Sequence, residues 1–359
     1  MRFQKLLDAA RKYGASDVHL VYGAPPAFRV DGDIVLADRS PMLAEDIVAV
    51  VDEVTTAEQR ETLMRERELC FSLLDGEARR ARVTVYFSAG RIELAVRVCQ
   101  ERIATREELR LPEFVESLCW LTDGLVIITG PTGMGKTTTM NYIIDRINQQ
   151  RRCKIITIED PVEYTHTHGR SLVVQQEVHS DTHSFGRALI HALRQDPDVI
   201  AIGEMRDLQT MSTALTAAET GHLVLATLHT PDATQTVERI ISVFPAHQQE
   251  QVRLQCASTL KAAIAQKLLP CATGQGRVLA CEVLTATTAV RAVIREGATH
   301  KLYSIIQTGL TNNMQTMDSS LLDLYLQGEI TYDIALSNAA HPSFIEGRSG
   351  RLPATVPAT

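Results

Sequence analysis

The chain has 359 residues, 45% of them hydrophobic and 22% charged, with a formal net charge of -7 and a pI of about 5.9. That length exceeds the roughly 100–200 residues of a typical domain, so two domains are expected, and the balance of apolar and charged residues excludes a wholly disordered or fibrous chain. The acidic excess argues against a generally basic nucleic-acid binder, although it leaves room for a local basic patch.

The first stretch reads as a small α/β domain. Phe3, Leu6, Leu7 and Ala10 fall on one face of a helix, and Gly14 is its expected stop. Val18, Leu20 and Tyr22 alternate as a half-buried strand does. Phe28 and Val30, then Ile34 and Leu36, alternate on either side of Asp31-Gly32, a strong hairpin signal because a type I′ turn needs positive φ at both central residues. Val83, Val85 and Phe87, a turn at Ser88-Ala89-Gly90, and Ile92, Leu94, Val96 and Val98 predict a second hairpin. The polar stretch from about Gln100 to Pro112 reads as a linker, which gives a first domain over 1–100, a linker over 101–112 and a second domain over 113–342.

From Leu125 the pattern changes. Leu125–Ile128, Ile155–Ile158, Val199–Ile202 and Leu223–Ala226 are continuous apolar runs, as strands buried on both faces are. Amphipathic stretches separate several of them, so a mostly parallel sheet with covering helices is expected. Val252, Cys256, Leu260, Ile264 and Leu268 are each four apart and predict a buried stripe on one helix. Trp120 is expected to pack at the domain junction, and the tail over 343–359, rich in Ser, Gly, Pro and Thr, to be disordered.

The seven cysteines, at positions 70, 99, 119, 153, 256, 271 and 281, are odd in number and show no Cys-x-x-Cys spacing. A disulfide framework and a structural zinc site are therefore not expected. His166 and His168 read as loop residues rather than as a metal pair. No stretch approaches the roughly 18–20 apolar residues that span a bilayer, and the N-terminus turns polar at Asp8 before any signal-peptide apolar region forms.

Gly130-Pro131-Thr132-Gly133-Met134-Gly135-Lys136-Thr137 matches G-x-x-x-x-G-K-[ST], the phosphate loop. Its glycines let the backbone bend around phosphates and turn N–H groups inward. The helix that opens near Lys136 adds its positive dipole end. Lys136 reaches the β- and γ-phosphates of ATP, and the Thr137 hydroxyl is a ligand for Mg²⁺. By composition the four fixed positions coincide by chance in about one chain of this length in a hundred. The flanking pattern sharpens the signal, since a buried strand precedes the loop and Met140, Ile143, Ile144 and Ile147 follow on one helical face.

Hydrolysis also needs carboxylates that orient or deprotonate water and help hold the metal. Glu204 directly follows the buried run that ends at Gly203. Glu159-Asp160-Pro161-Val162-Glu163 closes another strand. Both clusters are placed at C-terminal strand ends, where open parallel sheets bind ligands.

Four segments then resemble, in order, the motifs of the type II/IV secretion ATPase family. They are the phosphate loop, Ile158–Tyr164 as the Asp box, Leu193–Asp207 running into the Walker B segment, and Glu219–Thr230 as the His box. Gly14–Leu20, Pro25–Val30, Ala289–Glu296 and Met314–Asp318 further resemble the PilT-type pilus-retraction branch, and the resemblance covers roughly residues 1–340. It implies an N-terminal PAS-like α/β domain and a C-terminal RecA-like P-loop ATPase domain, assembled as a homo-hexamer with ATP bound between subunits. It implies Glu163 as general base and Glu204 as the Walker B carboxylate acting on Mg²⁺ and water. His222 and His229 are implied to couple nucleotide to subunit contacts, and Arg82 and Arg97 to reach the γ-phosphate. Thr132, Gly133, Met134, Gly135, Lys136, Thr137 and Thr138 are implied to hold the nucleotide.

The implied role is a cytoplasmic motor at the inner face of the bacterial inner membrane. It would act on an inner-membrane pilus platform protein, alone or beside a second retraction ATPase, with no nucleic acid bound and no membrane insertion. Lack of a four-cysteine zinc site favours retraction over assembly. The chain departs from the branch at Met134 (usually Ser), Phe87-Ser88-Ala89 (usually more basic), Pro231-Asp232 (usually Asn-Ser) and Ala292 (usually Asn). An accessory or paralogous retraction ATPase, or a secretion-system ATPase, is one alternative. A RecA-like nucleic-acid motor, which would show salt-dependent DNA binding, is another.

Overall fold

The computed structural model describes residues 3–30, 32–74, 80–99 and 102–349. The chain groups into two compact units. The first comprises Met1–Ile103 with Glu159–Thr167 and Glu177–Asp181, and the second comprises Ala104–Ile158, His168–Gln176 and Thr182–Thr359.

The first unit is built on a six-stranded antiparallel sheet in the order β3-β2-β1-β6-β5-β4, with β1 Asp17–Leu20, β2 Ala27–Val30, β3 Asp33–Leu36, β4 Glu68–Leu74, β5 Arg80–Ser88 and β6 Arg91–Val98. The helix Phe3–Lys12 buries Phe3, Leu6, Leu7 and Ala10, the face expected from their spacing, and carries Arg11 and Lys12 against its negative end. Helices Ala44–Val54 and Ala57–Glu66 complete the cover, and Ile47, Val50 and Leu63 join Val18, Leu20, Val83, Val85, Leu94 and Val96 in one core.

Both expected hairpins form. In the second, Ala89 and Gly90 have φ of 48° and 77°, the left-handed pair that a tight turn between twisted strands requires. In the first, Val30 pairs with Asp33; Gly32 has φ of 97°, and Asp31 lies outside the described residues. Two details differ from expectation. β1 stops at Leu20, leaving Tyr22 exposed, and β3 is exposed along its whole length, Ile34 and Leu36 included. β3 is an edge strand, so its alternation has packing neighbours on one side only.

The polar stretch read as a linker contains a short helix, Arg106–Leu109, whose Thr105 cap accepts from Glu108 N while Glu108 reaches back to Thr105 N. Gln100 and Glu101, at its start, lie outside the described residues.

The second sheet has seven strands in the order β13-β12-β7-β11-β10-β8-β9: β7 Gly124–Thr129, β8 Lys154–Glu159, β9 Leu172–Glu177, β10 Val199–Ile202, β11 Leu223–Thr227, β12 Leu260–Pro270 and β13 Arg277–Thr285. β12, β7, β11, β10 and β8 run parallel, and β13 returns antiparallel on β12. The four apolar runs are the four central strands β7, β8, β10 and β11, each buried along its run. β7 feeds the helix Lys136–Gln150, which buries Met140, Ile143, Ile144 and Ile147 and also Asn141, Tyr142 and Asn148 from other faces.

Three expectations are corrected here. The stripe from Val252 to Leu268 is not one helix: Gln249–Thr259 is helical and β12 begins at Leu260. A spacing of four keeps residues on one face of a helix and of a strand alike, so the stripe, buried from Val252 to Ile264 and half-buried at Leu268, could not locate the switch. Trp120 is 60% exposed rather than packed. The segment expected as a disordered tail contains the helix Pro342–Ser349, and Ile345 is fully buried in a cluster with Leu321, Leu322, Leu324 and Ile330. Residues 350–359 of that segment lie outside the described residues. The seven cysteines are free thiols.

Truncating Ile345 should therefore cost stability. Ile345→Ala is expected to destabilise the chain by about 2–4 kcal/mol in chemical denaturation, with the C-terminal segment becoming protease-sensitive first. A loss below about 0.5 kcal/mol would show that this helix contributes no packing.

Candidate functional site

Within the second unit, the C-terminal ends of β7, β8, β10 and β11 are stitched together by main-chain bonds. Gly203 N donates to Ile158 O (2.8 Å), Met205 N to Thr227 O (3.1 Å) and Leu228 N to Ile128 O (3.1 Å), and the Thr227 hydroxyl donates to Gly203 O. Thr129 Oγ1 bonds to Thr230 O at 2.7 Å. This lattice sets three side chains in a row. Lys136 Nζ donates to Gly130 O (2.7 Å) and Pro131 O (2.9 Å) and meets His229 Nδ1 at 3.3 Å. His229 Nε2 meets Glu204 Oε1 at 3.0 Å, and Glu204 Oε2 is held by Arg206 Nη2 at 2.7 Å.

The donors fix the protonation pattern. An ammonium only donates, so His229 Nδ1 is the acceptor and the ring's proton sits on Nε2, aimed at the carboxylate. Lys136 is only 7% exposed, and burial pushes its pKa below the ordinary lysine value, with the Glu204 charge partly restoring it. For Glu204, burial pushes the carboxyl up. Arg206, by hydrogen bond and charge, and His229 outweigh this, leaving the carboxyl below its usual range.

The phosphate loop itself is shaped by close approach. Gly130 has φ of 137°, and a Cβ there would stand 2.5 Å from Gln266 O on β12; Gly133 and Gly135 have φ of 80° and 81°. Gly135 caps the N-terminus of the 15-residue helix Lys136–Gln150 without a side-chain bond, leaving that end's N–H groups facing the loop. Thr132 and Gly133 are exposed and Thr137 and Thr138 half-buried; Asn141 Nδ2 donates to Thr137 O at 2.9 Å. This donor-rich, glycine-lined cradle fits a nucleotide phosphate chain. Met134 turns its thioether outward, where Sδ accepts from Leu268 N at 3.1 Å, so only its backbone borders the loop.

Sequence reasoning missed several partners: Gln266, fully buried, which donates to Thr139 Oγ1 at 2.7 Å; Arg277, whose Nη1 lies 3.4 Å from Gly133 O; and Arg206 on Glu204. A lone glutamine inside the apolar β12 run was the available signal for the first.

The structure does not bring His222 to this site. It precedes β11, whereas His229 follows it, so the length of a five-residue strand, about 17 Å, lies between them. His222 Nδ1 faces Ala217 O at 3.0 Å and Thr220 Oγ1 at 3.2 Å, which closes the end of the helix Leu208–Glu219.

Glu163, Arg82 and Arg97 gather in the first unit. Arg82 and Arg97 are directly opposite across β5 and β6. Like charges so placed repel, and carboxylates relieve them: Arg97 Nε pairs with Asp17 Oδ1 at 2.9 Å. Burial raises the Glu163 carboxyl above its ordinary value, with Arg97 and Arg82 partly offsetting that. Arg82 Nε also donates to Cys70 Sγ at 3.4 Å.

One of the remaining departures has a structural explanation. Asp232 caps the helix Ala233–Ser242, accepting from Gln235 N at 2.7 Å, a task that Ser performs equally well. Nothing in the structure explains Phe87-Ser88-Ala89. Arg291, in the C-terminal retraction-like segment, donates to Ala257 O, Ser258 O, Leu260 O and Ala286 O and so closes the end of the helix Gln249–Thr259. Nothing in the structure explains Ala292.

A parallel sheet with a glycine cradle, a buried loop lysine and an ionised carboxylate at its C-terminal edge defines a P-loop nucleotide-hydrolysing protein. The family model described as "Type II/IV secretion system protein" matches residues 2–328. The chain is 40% identical over 342 residues to the type IV pilus retraction ATPase PilT of Pseudomonas aeruginosa, covering 95% of this chain and 99% of that one. It is also 40% identical over 339 residues to the type IV pilus ATPase PilU of the same organism, covering 94% and 89%. A crystal structure of the pilus retraction motor PilT with bound ADP superposes with a TM-score of 0.90 at 44% identity, over 97% of this chain and 99% of that chain. The chain belongs to the type II/IV secretion system protein family, and it is a P-loop ATPase of that family.

The cradle gives a direct test. Gly130→Ala, which would combine positive φ with a clash on Gln266 O, is expected to lower ADP affinity tenfold or more in a fluorescent-nucleotide titration. Gly133→Ala meets no atom within 4 Å and should lose less. Equal affinities in the two variants would contradict the close-packed loop.

Proposed function

We propose that this protein is a hexameric motor ATPase that couples ATP hydrolysis to type IV pilus retraction. The observation that carries the reading is the Lys136–His229–Glu204 chain at the C-terminal sheet edge, on a chain that is similar to PilT in sequence over 95% of its length and in fold over 97%.

The backbone of Thr132–Thr138 and the Lys136 ammonium bind the phosphates. Thr137 and Glu204 supply the oxygen ligands that would hold Mg²⁺, which provides charge neutralisation on the phosphates when bound. Glu163 takes the proton of the attacking water, and Arg82 and Arg97 reach the γ-phosphate of nucleotide bound between subunits. His229, bonded to both Lys136 and Glu204, relays their geometry to subunit contacts; His222 takes part in that coupling from the far end of β11.

Residues 1–100 act as the PAS-like domain, and 113–342 with the docked helix Pro342–Ser349 as the RecA-like ATPase domain. The hexamer works on a platform protein at the inner face of the inner membrane; among the described residues no helix is long and apolar enough to cross a membrane. The equal identity to PilU favours, as a second reading, an accessory retraction ATPase working beside another ring.

Steady-state turnover tests the assignment. Lys136→Ala is expected to weaken nucleotide binding and abolish turnover, while Glu163→Ala and Glu204→Ala lose about a hundredfold in kcat with binding largely kept. Near-normal turnover in both carboxylate variants would overturn it.

The pH profile carries a sign. A base acts only when ionised, and Glu163 is raised by burial, with Arg97 and Arg82 the charged groups beside it. Turnover should therefore fall, as pH drops, at values above the ordinary Glu range of about 4.3. An acid limb at or below that value would contradict the role.

A further inference from the structure

Glu177, the last residue of β9, is a buried carboxylate to which the reading above gives no task. Its side chain is 4% exposed. Oε2 accepts from Arg80 Nη1 and Val162 N, both at 3.1 Å; Oε1 accepts from Ser180 Oγ at 3.0 Å and Ser72 N at 3.3 Å. Its own N–H donates to Asp181 Oδ2 at 2.8 Å, which holds the turn that follows. Arg80 Nη1 makes a second bond, to Ser72 Oγ at 2.6 Å.

These donors are neighbours of the residues assigned to catalysis. Val162 immediately precedes Glu163. Arg80 is two residues before Arg82 on β5 and so points to the same face of the sheet. Ser72 is the cross-strand partner of Arg82 in the β4–β5 register. One carboxylate thus ties the Glu163 loop to the strand that carries Arg82, at the register position of Arg82 itself. A buried carboxylate is costly unless its lone pairs are satisfied, and four donors satisfy this one. Glutamine in its place would turn an NH₂ group toward a donor, and aspartate would be too short to span the set.

We propose that Glu177 is a positioning residue for ATP hydrolysis: it clamps the Val162–Glu163 segment against β5, so that Glu163 and Arg82 keep a fixed geometry. The proposal rests on the assignment of Glu163 as general base. Glu177 acts through the main chain of Val162 and the side chain of Arg80 and touches no nucleotide. It should therefore govern kcat rather than nucleotide affinity. Loosening the clamp also hydrates Glu163, whose neighbours are Arg82 on β5, Arg97 on β6 and the Cys99 thiol just after β6.

The test compares full-length wild type, Glu177→Gln, Arg80→Lys and Glu163→Gln by kcat, KM for ATP, ADP affinity, the pH profile of kcat, and thermal unfolding. Glu177→Gln is expected to lose tenfold or more in kcat with KM and ADP affinity within threefold, and its acid limb should move to lower pH. Arg80→Lys keeps a positive charge beside Glu177 but lacks the guanidinium fork. It should lose at least threefold in kcat with the same direction of shift, and it serves as the readout if Glu177→Gln does not fold.

A Glu163→Gln variant with normal turnover would remove the base assignment, and the inference with it. An inactive Glu163→Gln beside a Glu177→Gln or Arg80→Lys that keeps wild-type kcat and acid limb would overturn the inference alone. So would a parallel loss of kcat and nucleotide affinity, which marks a merely structural residue.

Discussion

A lysine ammonium held almost out of water at the end of a parallel strand is the constraint around which the second unit is built. Removing a cation from water costs several kcal/mol unless acceptors and opposite charge are matched closely to it. Here Lys136 meets two carbonyls of its own loop, then an imidazole, and through the imidazole a carboxylate. Each partner stands at the end of a different strand or in the loop after it, so the match holds only while β7, β10 and β11 keep their parallel register. The continuous apolar sequences of those strands are what maintain it.

The same constraint explains how the cradle is braced. β12 runs past its last pairing with β7, at Ala265–Thr129, and its free edge then faces the loop. Gln266 approaches Gly130 so closely that no side chain fits, and Leu268 N takes the Met134 thioether as acceptor. A methionine in a phosphate loop is thereby reconciled with function: its side chain serves the hairpin behind the loop and leaves the inner surface to backbone N–H groups. The hairpin is fastened in turn to the C-terminal helices, since Lys267 Nζ donates to Asn338 O at 2.9 Å and Ser320 Oγ accepts from Cys281 N at 3.1 Å. Val283 of the same hairpin bridges to Gln315, so contacts run from the phosphate loop into the segment Met314–Asp318 that resembles the retraction branch.

Much of this was legible in the sequence, for reasons that can be stated residue by residue. Runs such as Leu125–Ile128 and Val199–Ile202 admit few readings once a glycine loop follows, and the alternations at Val83–Phe87 and Ile92–Val98 flank a turn that only a hairpin closes. Local pattern failed where two periods coincide, as between Val252 and Leu268. It failed also where one side of an element has no neighbour, as at Ile34 and Leu36. The helix Pro342–Ser349 was hidden because its stability comes from Ile345 docking on distant residues rather than from its own composition. Lys136 and Glu204 could be placed at one sheet edge because motif spacing reports strand ends, and His229 came only from the family resemblance; the structure puts the three side by side. Gln266 and Glu177 were not legible, because their partners are distant in sequence and only the fold brings them together; Arg206 stands two residues from Glu204, and its role follows only from the direction its side chain takes at the strand end.

The central claim, that this site drives retraction, is tested most directly by retraction of labelled pili in a host that lacks its own retraction ATPase. Wild-type protein and the Lys136→Ala variant would be supplied in turn. The account predicts retraction with the wild type and none with the variant. Retraction by both, or by neither while the purified wild type hydrolyses ATP, would contradict the claim that ATP turnover by this chain powers the movement.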